Sequence, residues 1–348
     1  MPPSDQTDRP VRVAVIIPYF QRDAGILTRA VASVLAQQMP ACTTLRILVI
    51  DDGSPHAAAA ELAGLAIHSG ITLEPVRQPN AGPGAARNRG LEMAEQDGGT
   101  DFVAFLDSDD IWAPTHLADA LSALDRGYDF YCCDNSRDGA FARFSEDVAL
   151  LRDGGRALAG RATVLDPDGP VLGFAPHVLD DDFVTGYLSH TSTVVLRAAA
   201  IRGQRFDPDL RNASEDRMFW LTVALSGASV AISWRCNVAC GRGVNLFFAA
   251  HDWNAPATLE RIGCQLLFAE KLMRMPVMTP LRAGFAKARA RKTRRAYSFL
   301  FLRMLMRGRR PPLDSFRRLL RLDPWLPVRM PALFVAVLVD RRPEARRF

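Results

Sequence analysis

Phe105-Leu106-Asp107-Ser108-Asp109-Asp110 (FLDSDD) is a short apolar run that opens directly into three carboxylates. Acids crowded together raise one another's pKa and destabilise a fold unless something cationic sits among them. A hard divalent ion relieves that repulsion, and Mg²⁺ is commonly held by one or two carboxylates together with substrate phosphates. If the strand continued, Asp107 and Asp109 would project to the same side. If the chain turns, one can reach a metal while the other reaches a ligand. A solvated acidic loop after a buried strand explains the segment equally well in isolation, so its surroundings decide.

Working outward, Phe102–Leu106 is the fourth of a series of apolar strands. Val11–Ile17, bounded by Pro18, Arg46–Ile50 and Ile71–Val76 precede it, each short, apolar and mostly β-branched. Helical spacing joins Ile26, Leu27, Ala30, Val31, Val34 and Leu35, and helices are predicted over Ala57–Ala66, Gly84–Ala94 and Pro114–Leu124, the last with proline near its first turn. This rhythm predicts an α/β fold with a doubly wound, mostly parallel sheet. Ligands on such sheets bind outside the carboxyl ends of the strands. Pro18, Asp52 and Asp107 all fall at such ends.

After Tyr128–Tyr131 the chain is irregular and rich in Gly and Asp to about Asp182. A strand is expected over His190–Leu196, a helix over Glu215–Leu225 and a strand over Val230–Trp234. Beyond Ala255 the pattern is helical and basic. The expected organisation is therefore a catalytic domain over 11–254 and a C-terminal helical extension over 255–348.

At 348 residues, 48% hydrophobic and 23% charged, the chain reads as globular, large enough for one α/β domain plus an appendage. Met1–Pro10 is polar, so no signal peptide is expected. No stretch reaches the roughly 18–20 apolar residues that span a bilayer, and Ala332–Val339 is far too short. Cys132 and Cys133 are adjacent, and no cysteine spacing matches a zinc finger or ribbon. Cys236, Cys240 and His251 have ligand chemistry, but buried free thiols and a structural or surface histidine are the simpler reading. A cytoplasmic, reduced protein is expected.

The net charge of +5 hides an asymmetry: from Arg274 onward, 20 Lys and Arg face 4 Asp and Glu. An anionic partner is expected. Tyr297–Met306 is intensely apolar between arginines, which suits a helix lying at the inner face of a membrane against anionic lipids or a helix packed on the rest of the protein. Nothing resembles a nucleic-acid-binding module, so no nucleic acid is expected as a partner.

Three further segments carry chemistry. Asp51-Asp52-Gly53-Ser54 ends the second strand with a carboxylate that can accept from a base or ribose, beside a glycine suited to a tight turn. Asn80–Gly90 (NAGPGAARNRG) enters a helix, where phosphates are attracted, and Arg87 offers a planar cation suited to a diphosphate. A dinucleotide-binding dehydrogenase would place its glycines after the first strand; here Pro18-Tyr19-Phe20-Gln21-Arg22 stands there instead. Ser214 reads as a helix N-cap with Glu215 and Asp216 in the first turn.

Together, VAVIIPYF (13–20), SVLAQQ (33–38), VIDDGS (49–54), NAGPGAARNRG (80–90), FLDSDD (105–110) and SEDRMFW (214–220) resemble the family 2 glycosyltransferases, which have the GT-A fold. The resemblance covers roughly residues 11–230. It implies that Pro18, Tyr19, Asp52, Asn80 and Arg87 line the pocket of a nucleotide-sugar donor. Asp107 would contact donor ribose or metal, Asp109 would bind Mg²⁺ or Mn²⁺, and Asp216 would be the general base, with Glu215 as understudy. Gln21 departs from the asparagine more usual after that strand. Residues 236–253 (CNVACGRGVNLFFAAHDW) resemble the succinoglycan-type exopolysaccharide glucosyltransferases, which implies UDP-glucose as donor and a saccharide acceptor, lipid-linked given the basic tail. Two other readings compete. A nucleotidyltransferase lacks its glycine- and arginine-rich loop after strand one. A non-catalytic sugar-nucleotide-binding scaffold has no need of the acid assigned as base.

Overall fold

The computed structural model describes residues 9–137, 143–211, 213–241 and 255–340. The chain divides into two compact units, the first Met1–Arg205 with Leu221–Val244, the second Phe206–Trp220 with Asn245–Phe348.

The first unit begins β1 (Val11–Tyr19), α1 (Ile26–Leu35), β2 (Thr43–Asp51), α2 (Ala58–Leu62), β3 (Ile71–Arg77), α3 (Pro83–Gln96) and β4 (Phe102–Phe105). It continues β5 (Ile111–Trp112), α4 (His116–Leu124), β6 (Phe130–Arg137) and two one-turn helices, α5 (Phe144–Asp147) and α6 (Arg152–Gly155). Then come β7 (Thr163–Asp166), β8 (Val171–Phe174), α7 (Asp180–Thr185) and β9 (Val194–Arg197). Helix α8 (Glu215–Leu225) and β10 (Val230–Cys240) complete it, α8 starting in the segment assigned to the second unit.

The sheet order is β3-β2-β1-β4-β9-β6-β10-β8-β7, with β5 on β10. Strands β3, β2, β1 and β4 are mutually parallel, and β9 joins antiparallel between β4 and β6. This is the expected α/β arrangement, a mixed, mostly parallel sheet between helices. Strands β1, β2 and β4 are largely buried on both faces, while the edge strand β3 is not. Val13, Val15, Ile17 and Tyr19 pack with Leu27, Val31 and Val34 of α1, while Ile16 on the opposite face meets α3. That second contact is close: a Cβ on Gly90 would lie 2.5 Å from Ile16 Cγ2.

Several expected boundaries shift. Pro18 does not bound β1 but lies inside it, opposite Ile50. Its missing N–H falls on the β4 side, where β4 has already ended, so no ladder bond is lost. Helix α2 is half the expected length. The expected strand 190–196 starts as a 3₁₀ turn, Thr191–Thr193, before β9. Strand β10 runs six residues past Trp234 by taking up irregularities at Ser233/Cys236 and Cys236/Val238.

Among its described residues the second unit holds four complete helices, α9 (Pro256–Leu272), α10 (Pro280–Met306), α11 (Asp314–Leu322) and α12 (Leu326–Leu338). One expectation is corrected here. Tyr297, Leu300, Phe301 and Met304 of the 297–306 run are buried in this unit's own core, leaving Leu305 and Met306 exposed at its end, so most of that run is packing surface. Its flanking arginines are also used internally: Arg294 pairs with the buried Glu270, and Arg295 with Asp340 at 2.7 Å. A longer exposed apolar stretch lies on α12 and its two flanking residues, where Trp325, Val328, Val335 and Val339 are all more than half exposed. Among the described residues no helix is long and apolar enough to cross a membrane.

Candidate active site

Because β1, β2 and β4 are parallel neighbours, their C-terminal ends lie side by side, and the acids read from the sequence arrive there together. Gln21, just past β1, ties the three ends to one another. Its backbone N–H donates to Ser54 Oγ at 3.0 Å, Ser54 Oγ donates back to the Gln21 carbonyl at 2.9 Å, and Gln21 Nε2 donates to Ser108 Oγ at 3.1 Å. The residue that departs from the family pattern is thus a joint of the site.

Asp51 and Asp52 divide their work. Asp51 turns inward and accepts from the N–H groups of Ser54 (2.8 Å) and Ala58 (3.0 Å), fixing the turn that leads into α2. Asp52 reaches across to the loop before α3. Its Oδ1 accepts from Gln78 Nε2 (2.8 Å) and the Ala81 N–H (2.9 Å), its Oδ2 from the Gly82 N–H (2.8 Å), and its carbonyl from Asn80 Nδ2 (2.8 Å). Two amides leading into the helix are therefore held by the protein's own carboxylate. Gly82 makes the arrangement possible with φ 96° and ψ 165°, a region essentially reserved for glycine.

Arg87 is buried on α3 and donates from Nη2 to Asp107 Oδ1 at 2.7 Å. A guanidinium so enclosed orients Asp107. Burial pushes the Asp107 carboxyl up, but the charges of Arg87 and His190 and the Arg87 hydrogen bond outweigh it and hold it below the usual carboxylate range. Asp107 is thus an ionised, oriented carboxylate whose side chain keeps 26% of its exposure. Past β4 the chain turns, the Asp110 N–H donating to the Asp107 carbonyl at 3.0 Å. Asp109 is half-buried in that turn and Asp110 is buried.

The Asp110 carboxylate accepts from Ser192 Oγ (2.5 Å) and the Gly241 N–H (2.8 Å), and the Asp107 N–H donates to Ser192 Oγ (2.9 Å). Burial, then the charge of Asp107, raises the Asp110 carboxyl to about 7 against the pull of those donors. Ser192, His190 and Gln78 were missed in the sequence, and Cys240 was raised there only as a possible ligand beside Cys236 and His251. The only signal for the first two was a polar HTST run just ahead of a buried strand.

Pro18 is buried at the end of β1 beside Ile50. The Tyr19 ring lies in the core, its hydroxyl donating to Glu61 Oε2 at 2.9 Å. Burial, then that hydrogen bond, raises its pKa to about 12. Tyr19 therefore does not line a pocket with its side chain, contrary to expectation; its carbonyl accepts from the Asp52 N–H at 2.9 Å. Asp216 and Glu215 open α8 within the second unit. Ser214 has φ 69° and its carbonyl accepts the Met218 N–H at 3.0 Å, while Asp216 Oδ1 accepts from the Arg217 N–H at 2.7 Å. The Arg217 guanidinium lies over the Phe268 ring, 4.9 Å from its centroid. His251 lies outside the described residues.

A hard divalent ion fits the acids after β4. Asp107 Oδ1 is taken by Arg87, while Oδ2 accepts no hydrogen bond among the described residues, and Asp109 follows two residues on in the same turn. Two carboxylates completed by phosphate oxygens suit Mg²⁺ or Mn²⁺.

Comparison with known proteins agrees with this geometry. Residues 14–146 match the family described as glycosyl transferase family 2. The succinoglycan biosynthesis protein ExoW of Rhizobium meliloti (strain 1021) is 36% identical over 251 residues, 72% of this chain and 75% of ExoW. Among solved structures, residues 1–349 of S. aureus TarS in complex with UDP superpose with a TM-score of 0.54 at 18% identity, over 94% of this chain and 85% of that one. The mannosyltransferase PcManGT of Pyrobaculum calidifontis, in complex with GDP-Man and Mn²⁺, gives 0.51 at 18% identity, over 97% and 89%. With acids gathered at the carboxyl edge of a GT-A-type sheet and a relative this similar over most of both chains, the protein belongs to glycosyltransferase family 2 and is a glycosyltransferase.

Proposed function

We propose that the enzyme is a metal-dependent, inverting hexosyltransferase that moves a sugar from a nucleotide donor to a hydroxyl of a saccharide acceptor in exopolysaccharide assembly. The observation that carries the reading is the pairing of Arg87 with Asp107 beside Asp109, which presents an ionised carboxylate at the carboxyl edge of the sheet. The name of the relative ExoW, a succinoglycan biosynthesis protein, supports the exopolysaccharide setting and makes UDP-glucose the first donor to test.

In this reading Pro18, Asp52 and Asn80 frame the nucleotide, with Asp52 also fixing the loop Asn80–Gly82. Asp107 and Asp109 hold Mg²⁺ or Mn²⁺ against the donor diphosphate. The ion, when bound, neutralises charge that builds on the departing diphosphate. Arg87 keeps Asp107 ionised and pointed. Asp216 takes the proton of the acceptor hydroxyl as it attacks, because a hydroxyl is a weak nucleophile until a base assists. Attack opposite the leaving group inverts the anomeric carbon.

The basic surplus after Arg274 and the exposed apolar stripe of α12 together support an anionic membrane surface as a further partner, and hence a lipid-linked acceptor. Co-sedimentation with phosphatidylserine vesicles tests this part. For the chemistry, donor hydrolysis and transfer are measured with UDP- and GDP-sugars with Mn²⁺ and with EDTA. Metal-dependent turnover with one UDP-hexose is the expected result; donor binding without any turnover would leave the scaffold reading standing instead.

A further inference from the structure

Three side chains that the proposed transfer does not use meet behind the acidic turn. Asp110 comes from the turn after β4, His190 from the approach to β9, and Cys240 from the last residue of β10. Their ligand atoms all lie within 4.8 Å of one another, with His190 Nδ1 3.7 Å from Asp110 Oδ2 and 3.8 Å from Cys240 Sγ. We propose that Asp110, His190 and Cys240 form a binding site for a borderline-soft divalent ion of the zinc class, separate in chemistry from the hard-ion site at Asp107 and Asp109.

The separations are the first argument. A hydrogen-bonded imidazole–carboxylate pair closes to roughly 2.7–3.2 Å, and this one stays open. Metal bonds of about 2.0–2.3 Å in a tetrahedron put ligand atoms roughly 3.3–3.6 Å apart, within a few tenths of an ångström of the two separations at His190, while Asp110 and Cys240 lie within 4.8 Å of each other. The donors around the cluster are the second. Ser192 Oγ and the Gly241 N–H donate to the two Asp110 oxygens, and Asn135 Nδ2 donates to Cys240 Sγ at 3.2 Å. These donors act in favour of the anions a metal requires, against the burial that raises the Asp110 carboxyl and the Cys240 thiol, and they orient both ligands as outer partners of metal sites do.

The ligand set names the ion. A carboxylate, an imidazole and a thiolate favour Zn²⁺ over Mg²⁺ or Mn²⁺, which take oxygen. Three protein ligands leave the fourth tetrahedral position to water. Binding forms the metal–sulfur bond with release of the Cys240 proton to solvent, with no change of oxidation state. An occupied site would fasten the end of β10 and the approach to β9 to the turn that carries Asp109.

The test is titration of the reduced full-length protein with Co²⁺, a spectroscopic stand-in for zinc. One equivalent should produce thiolate-to-cobalt charge-transfer absorption, which Zn²⁺ displaces and excess Mg²⁺ does not. Cys240→Ser should abolish the band. His190→Ala should weaken Co²⁺ binding by more than the roughly 10-fold that loss of an outer partner costs. Asp109→Asn and Cys42→Ser should keep it, which separates this site from the hard-ion site and from the exposed thiol. No band in the wild type, or a band that survives Cys240→Ser, overturns the proposal. If Cys240→Ser does not fold, His190→Ala decides, and unchanged affinity there overturns it equally. Neither result depends on sugar transfer.

Discussion

Arg87 Nη2 and Asp107 Oδ1 stand 2.7 Å apart, the guanidinium buried and the carboxylate at the surface of the turn. The pair joins a helix to a strand end 20 residues later. Asp107→Asn would leave a buried charge with its principal counter-ion gone. Breaking a buried pair costs about 3–5 kcal/mol, and partial exposure of Asp107 moves the expected loss to about 2–3 kcal/mol. Urea unfolding of the variant, alongside donor titration with Mn²⁺, should show both losses. An unchanged unfolding midpoint would mean that the pair holds nothing in place.

Gly82 offers a test of the loop without touching an acid. At φ 96° and ψ 165° an alanine costs about 1–3 kcal/mol, and relaxing that strain would pull the Ala81 and Gly82 amides from Asp52. Gly82→Ala is expected to raise KM for the donor several-fold while kcat changes little. Steady-state kinetics at saturating acceptor checks this, and a fall in kcat alone would count against it.

Asp216→Asn is expected to lower kcat by roughly 10²–10⁴-fold, the range typical of a lost general base, with donor affinity kept. Calorimetric titration of the donor into the inactive variant separates the outcomes. Equal loss of donor binding would move Asp216 out of the base role, and Glu215→Gln becomes the next variant to make.

His116 gives the pH prediction. It is fully buried between Trp112 and Tyr131, and burial lowers its pKa to about 3. Between its unfolded value near 6.5 and 3, only the unfolded chain binds the proton. Its contribution is therefore fully present above pH ~6.5 and is lost as pH falls, with a slope of at most ~1.4 kcal/mol per pH unit. His116→Phe should flatten stability against pH in that window. The same slope in wild type and variant would show that His116 does not titrate there.

For the second unit, Val328→Asp with Val335→Asp should lower partitioning onto phosphatidylserine vesicles without altering donor hydrolysis in solution, since both side chains are exposed on α12. A matched pair in α10 is not a useful probe, because the core would be disrupted. Unchanged sedimentation of the α12 variant would remove the lipid surface as a partner.

The parallel half of the sheet was legible because strands buried on both faces are written as unbroken apolar runs, as in Val11–Ile17 and Arg46–Ile50. Strands β7 and β8 were not. They are four residues each, separated by the turn-forming Asp-Gly-Pro run at 168–170, inside a stretch whose composition reads as loop. Of the two apolar runs in the tail, the stronger (297–306) proved to be mostly core and the weaker (332–339) carries the exposed Val335, Leu338 and Val339. Hydrophobicity reports that a segment avoids water and says nothing about what replaces it. The acids at the strand ends were likewise legible, whereas their partners were not. Ser192 reaches Asp110 across 82 positions and Gly241 across 131, distances over which no local pattern survives. The role of Gln21 was hidden for the same reason: its side chain joins two loops that only the sheet brings together.

The chain crosses between its two units three times, after Arg205, Trp220 and Val244. The stretch carrying Asp216 is thus threaded into the same body as the terminal helices: Lys271 of α9 grips Asp207 and Asp209, and Arg318 of α11 donates to the Asp209 carbonyl at 2.9 Å. The terminal region is consequently not a detachable module. It cannot be swapped between homologues or trimmed off as a tag would be, and recombination within this lineage would have to inherit the 206–220 stretch and the terminal helices together to keep the segment around Asp216 in its setting.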